Sequence, residues 1–210
     1  LSFAIELGLI DRNPAHGVRL PRDSKRKITG VDQKYAALGR ALLDAENRSE
    51  TWQAIAIIRL VALTGMRKGE AVALKWDEVD FETKTFNLAS AKSGLSLRPM
   101  SQKAEKLLQK VLCRFEASAF VFPAVSTERR PYGGLPRAWA RITGSENLSI
   151  ENQEILRGFS LHDLRYCYTA TADALALTPP TISALLGRGV GGVTGYTGRV
   201  RQKPARDCFQ

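Results

Sequence analysis

TWQAIAIIRLVALTGMRKGEAVALKW, residues 51–76, opens as a nearly unbroken apolar run and stops abruptly at a glycine. From Thr51 to Met66 apolar residues occupy nearly every side of a helical projection, the pattern of a helix buried all round. The stretch therefore predicts a central core helix with other helices packed about it. Gly65 is a natural C-terminal stop, and RKGEAVAL (67–74) restarts helically. Arg67 sits just past the stop, so it is expected to be held rigidly against the core. Glu70, three residues on, is placed to orient it; the same spacing also describes an ordinary surface Arg–Glu pair.

Helical periodicity extends to either side. Tyr35, Leu38, Leu42 and Leu43 share a face over residues 32–46. Further helices are predicted over 101–116, near 134–143, over 159–177 and over 179–187, with a polar separator at 144–157. Between 78 and 100 the pattern changes. EVDF, TFNLA and LSLRPM favour strands, and ETK and KSG favour turns, which together predict a three-stranded antiparallel meander. AFVFP (119–123) reads as a strand or extended piece. At the start, residues 1–10 look like the end of a helical domain. Residues 11–30 look like a linker carrying the basic cluster Lys25, Arg26 and Lys27, and 31–210 look like the main domain.

The 210 residues carry a net charge of +10, which favours a polyanionic partner such as nucleic acid but equally suits a solvated surface. Three separated cysteines and two histidines offer neither a disulfide framework nor a metal cluster, as expected of a reducing, cytosol-like compartment. The most apolar stretch is too short to span a membrane and contains Arg59. No signal peptide opens the sequence, and the absence of an initial methionine reads as a fragment or a trimmed chain.

Besides Arg67 and Glu70, two groups of residues and the glycine-rich stretch near the C-terminus bear on the chemistry. In SLHDLR, Ser160 and Asp163 form a capping box at a helix start. His162 and Arg165, three apart, are expected to share the face of its first turn and, with the helix N-terminus, to suit a phosphate. Lys92 sits in the turn between the second and third strands. In LLGRGVGGVTGYTGR (185–199), Gly187, Gly189 and Gly192 satisfy the dinucleotide-binding pattern G-x-G-x-x-G. That pattern has mechanical meaning only where a strand turns into a helix, and here a helix precedes it. The glycines read instead as a tether around Tyr196.

Taken together, these motifs resemble the tyrosine recombinase family, the phage integrases. ALTGMRKGEAVALKW is similar to the family's first arginine motif and places its catalytic arginine on Arg67. ASAKSGLSLRPMS places the hairpin lysine on Lys92, and LHDLR matches the H-x-x-R box with His162 and Arg165. LLGR puts Arg188 where the family has histidine or tryptophan, and the nucleophile falls on Tyr196. The step from 188 to 196 is eight residues, where nine is usual. LGLIDRNPAHGVRLP looks like the last helix of the family's DNA-clamping N-terminal domain and the linker after it.

The resemblance implies a mainly helical catalytic domain with a small three-stranded antiparallel sheet. It implies a site-specific recombinase of bacterial or prophage origin, acting in the cytoplasm through a 3′-phosphotyrosyl intermediate without cofactor, metal or ATP. The partners it implies are a double-stranded DNA attachment site and three further copies on DNA, with a monomer when free. Arg67, Arg165 and Arg188 would hold the phosphate and Lys92 would protonate the leaving oxygen. His162 would assist proton transfer or bind phosphate. Two alternatives stay open: a decayed integrase that only binds DNA, for which Arg188 and the short spacing speak, and a type IB topoisomerase-like enzyme.

Overall fold

Helix α3 (Trp52–Thr64) is the centre of the molecule, as its all-round apolarity requires. Ala54, Ile57, Ile58, Leu60 and Val61 have no exposed surface. The computed structural model describes residues 1–18, 29–90, 94–113 and 118–187. Packed against α3 are α2 (Val31–Asn47), α5 (Gln102–Leu112), α6 (Leu135–Thr143) and α8 (Leu161–Ala174). Helix α1 (Ser2–Glu6) precedes them and buries no residue.

Gly65 ends α3 in the left-handed region, with φ of 63°. A methyl at this position would lie 2.8–2.9 Å from Tyr168 and Leu186, so the turn has neither the backbone freedom nor the space for another residue. The chain then turns at once into α4 (Lys68–Val72), whose first turn is closed by the Glu70 carboxylate accepting the Arg67 N–H at 2.8 Å.

The expected meander is present. Strands β1 (Val79–Asp80), β2 (Thr85–Ser90) and β3 (Gly94–Pro99) pair antiparallel in that order, with Phe86 opposite Arg98 and Leu88 opposite Ser96. Phe86 and Leu88 face the core, and so does Arg98. Leu97 points outward and is half exposed.

Two elements were not legible. The AFVFP segment ends in β4 (Pro123–Ala124), which pairs with β5 (Thr127–Pro131). Strand β5 reads TERRP, whose three central residues are all exposed, so it has no apolar alternation to betray it. The polar separator contains α7 (Ile150–Leu156), capped by Ser149 and packed on α2. Only Asn152 and Leu156 of α7 are buried, and Asn152 is held by Arg40 at 3.0 Å. A helix buried through an asparagine has no hydrophobic stripe to read.

Helix α9 (Pro179–Leu185) closes the described part of the chain. Ile182 and Leu186 form a separate small apolar cluster with Ala172, flanked by Tyr168 and Leu177. No helix among the described residues is long and apolar enough to cross a membrane.

Candidate active site

The end of α3, the start of α8 and the end of α9 meet at one corner. Ser160 caps α8 as expected: its hydroxyl accepts the Asp163 N–H at 3.3 Å, and Asp163 accepts the Ser160 N–H at 2.8 Å. Asp163 also accepts the Ser160 hydroxyl at 2.9 Å and is buried. A carboxylate of the chain itself therefore occupies the start of α8. Asp163 thus satisfies the Ser160 N–H at the helix start, as the capping box predicts.

His162 and Arg165 do not share an environment. Arg165 is buried at 4% exposure and donates to Gly65 O at 2.6 Å and Leu186 O at 2.9 Å. One guanidinium thus ties the ends of α3 and α9 to α8. His162 is exposed, and its ring meets Tyr166 edge-on at 5.1 Å.

Arg67 lies two residues past the carbonyl that Arg165 grips. Its Nη1 donates to Glu70 Oε1 at 2.8 Å, and its side chain is 52% exposed. The Glu70 pairing foreseen from the spacing is therefore real, but Glu70 has a second partner. Arg98, from β3, donates to both of its oxygens, Nη1 to Oε2 at 2.9 Å and Nη2 to Oε1 at 2.8 Å. Burial pushes the Glu70 carboxyl up, but hydrogen bonds from Arg98 and Arg67 outweigh it and bring it down to about 2.

Sequence reasoning missed Arg98. The alternation of LSLRPM was its only signal, and an apolar reading turns the leucines inward rather than Ser96 and Arg98. Lys92, Arg188 and Tyr196 lie outside the described residues, as do Lys25, Arg26 and Lys27 of the basic linker. Of the tyrosines near Arg165, Tyr168 is half-buried and burial pushes its phenol up, whereas Tyr166 faces solvent.

Glu50 is held in the same manner as Glu70, down to about 2, chiefly by its bidentate pairing with Arg141 at 2.8 Å. Both carboxyls lie below their ordinary value of 4.5 in the folded state, so their stabilisation is complete above pH about 4.5 and is lost as pH falls toward 2. The free energy of unfolding is expected to drop across that window by an amount on the order of a few kcal/mol for the two together, read as a lower urea midpoint. Glu50→Gln should flatten the drop; an unchanged slope would show that this pairing contributes nothing.

The fold matches solved recombinase domains. A lambda integrase dimer bound to a COC′ core site aligns with a TM-score of 0.59 at 16% identity, over 95% of this chain and 71% of that one. The Tn1549 transposon integrase in complex with circular intermediate DNA aligns with a TM-score of 0.58 at 18% identity, over 92% and 68%. The architecture is thus that of a tyrosine recombinase catalytic domain. The chain belongs to the phage integrase family, whose profile matches residues 38–176.

Among its relatives, the shufflon-specific DNA recombinase of Escherichia coli is 28% identical over 163 residues, 77% of this chain and 37% of the relative. Tyrosine recombinase XerD of Mycobacterium leprae is 29% identical over 180 residues, 79% of this chain and 55% of the relative. The chain spans about a third to a half of the length of the relatives it matches.

Proposed function

We propose that this chain is the catalytic part of a site-specific recombinase that breaks and rejoins double-stranded DNA through tyrosine attack on a phosphodiester. The observation that carries this reading is that Arg165 binds the carbonyl of Gly65 at the end of α3, two residues before Arg67. Arg165 holds Leu186 there, ten residues before Tyr196. Family membership and the DNA named in the partners of the matched structures point the same way.

The chemistry suits those residues. The Tyr196 oxygen attacks phosphorus, the bond to the 5′-oxygen breaks, and the protein is left joined to the 3′-phosphate. The phosphodiester's energy is kept in that covalent link, so rejoining needs no ATP. Attack builds charge on the non-bridging oxygens, where fixed donors act most strongly. Arg67 and Arg165 take that role, assisted by Arg188, whose planar donors fit a phosphate oxygen but accept no proton. The arginine cations do for the phosphate what Mg²⁺ does in other phosphoryl transfers. Lys92 gives its proton to the departing 5′-oxygen. His162 assists the loss of the Tyr196 proton or binds phosphate. Four copies would assemble on two DNA sites, the free chain being monomeric, in the cytoplasm of a bacterial host.

A nicked suicide duplex tests this. It is built from the sequence that the protein selects out of a randomised duplex pool. A covalent adduct on a denaturing gel, with the DNA-bearing peptide containing Tyr196, is the expected result. Salt-sensitive binding without any adduct would overturn it in favour of a protein that only binds DNA, the reading that Arg188 and the eight-residue spacing favour.

A further inference from the structure

Arg98 is 3% exposed at the end of a short strand, opposite Phe86 on the core side of the sheet. An arginine there is costly unless it is fully paired, and an apolar residue would fill the place at least as stably. Its pairing is unusually complete. The two terminal nitrogens grip both Glu70 oxygens, and Nε donates to Ser96 Oγ at 3.3 Å.

Each Glu70 oxygen is then shared with Arg67. Oε1 accepts the Arg67 guanidinium and Oε2 accepts the Arg67 backbone N–H, both at 2.8 Å. The carboxylate is thereby locked in plane by the buried fork of Arg98, and it fixes Arg67 at two points. An exposed arginine left to itself samples many rotamers, and ordering it has an entropic cost. Glu70 and Arg98 meet that cost before any phosphate arrives.

Arg98 also touches the other side of the site. Gly187 has φ of 60°, and a methyl on it would overlap Arg98 Nε and Ser96 Oγ. The turn that ends α9 therefore rests directly on the Arg98 side chain, one residue before Arg188.

We propose that Arg98 is a positioning residue: through Glu70 it presets the Arg67 guanidinium for the reacting phosphate, and under Gly187 it seats the turn that ends α9. This rests on the recombinase reading above. Arg98 touches neither DNA nor the reacting atoms and contributes through Arg67.

The charged groups that meet Glu70 among the described residues are Arg67, on its own helix, and Arg98, from β3. Without Arg98 the half-buried carboxyl keeps its burial and loses the strongest of the hydrogen bonds that hold it down. Its protonation then moves up. A protonated Glu70 cannot hold Arg67 at both points.

The test uses the selected nicked duplex with wild type, Arg98→Met, Arg98→Lys and Arg98→Met combined with Glu70→Gln. Arg98→Met should slow single-turnover adduct formation at neutral pH by about tenfold or more, with half-saturating DNA changed less than about twofold. Its rate should also gain an acid limb that wild type lacks, and the limb should vanish in the double variant. Arg98→Lys should recover only part of the rate, because one ammonium cannot grip two oxygens as a fork. Should Arg98→Met fail to melt cooperatively, Arg98→Lys carries the question, and a wild-type rate in it overturns the proposal. A wild-type protein that forms no adduct overturns the recombinase reading. A reactive wild type beside an Arg98→Met of equal rate and pH profile overturns the role of Arg98 alone.

Discussion

Arg165→Met is expected to destabilise the protein by about 3 kcal/mol and to slow adduct formation by about a thousandfold. Methionine fills much the same volume but donates nothing. Gly65 O and Leu186 O, both held by this one guanidinium, would lose that donor in a buried place. Each such loss costs about 1–3 kcal/mol. For a domain of this size the melting temperature should fall by roughly 6–12 °C. The two carbonyls lie 100 and 21 residues from Arg165 in sequence, so the loss loosens the junction of α3, α8 and α9 as a whole. Arg165→Lys should behave nearly as badly, since a single ammonium does not span both acceptors. A melt within about 1 °C of wild type would show that these two hydrogen bonds do not hold the corner together.

Arg67→Ala is expected to separate the two effects. The rate of adduct formation should drop by about a hundred- to a thousandfold, the usual consequence of deleting one fixed donor at a developing negative charge. Stability should change by less than about 1 kcal/mol, because the side chain is half exposed and its ion pair with Glu70 is of the weak surface kind. Glu70 keeps its bidentate partner Arg98, so no buried charge is stranded. DNA affinity should weaken only slightly, since one phosphate contact among many is lost. Single-turnover kinetics on the suicide duplex, beside a thermal melt, would resolve this. A rate within threefold of wild type, roughly 0.6 kcal/mol, would remove Arg67 from the reaction.

The residues that sequence alone exposed are those whose signal is local. The apolar circumference of α3 and its terminal glycine fix the centre of the fold before any contact is known. The capping box at Ser160 and Asp163 announces α8 at the right residue. Arg67 and Glu70 are three apart on one turn, so their pairing follows from helix geometry. What stayed hidden depends on partners far away in the chain. Arg98 is meaningful only against Glu70, 28 residues earlier, and its strand reads more naturally with the leucines inward. The contrast between buried Arg165 and exposed His162 likewise depends on Gly65 and Leu186, which no pattern around H-x-x-R contains. Helix α7 is buried through Asn152, and β5 buries nothing at its centre, so neither leaves a hydrophobic trace.

The small apolar cluster of α9 is separate from the main core, and this divides the molecule energetically. Global unfolding is governed by α3 and the layers around it. Helix α9 is governed by a handful of apolar contacts, the Arg165 bond to Leu186 and the seat of Gly187 on Arg98. Its free energy of opening is accordingly a local quantity, smaller than that of the whole domain. Helix α9 can thus open while α3 and the layers around it stay folded. Amide hydrogens of α9 would exchange by that local route while those of α3 wait for the entire fold to open.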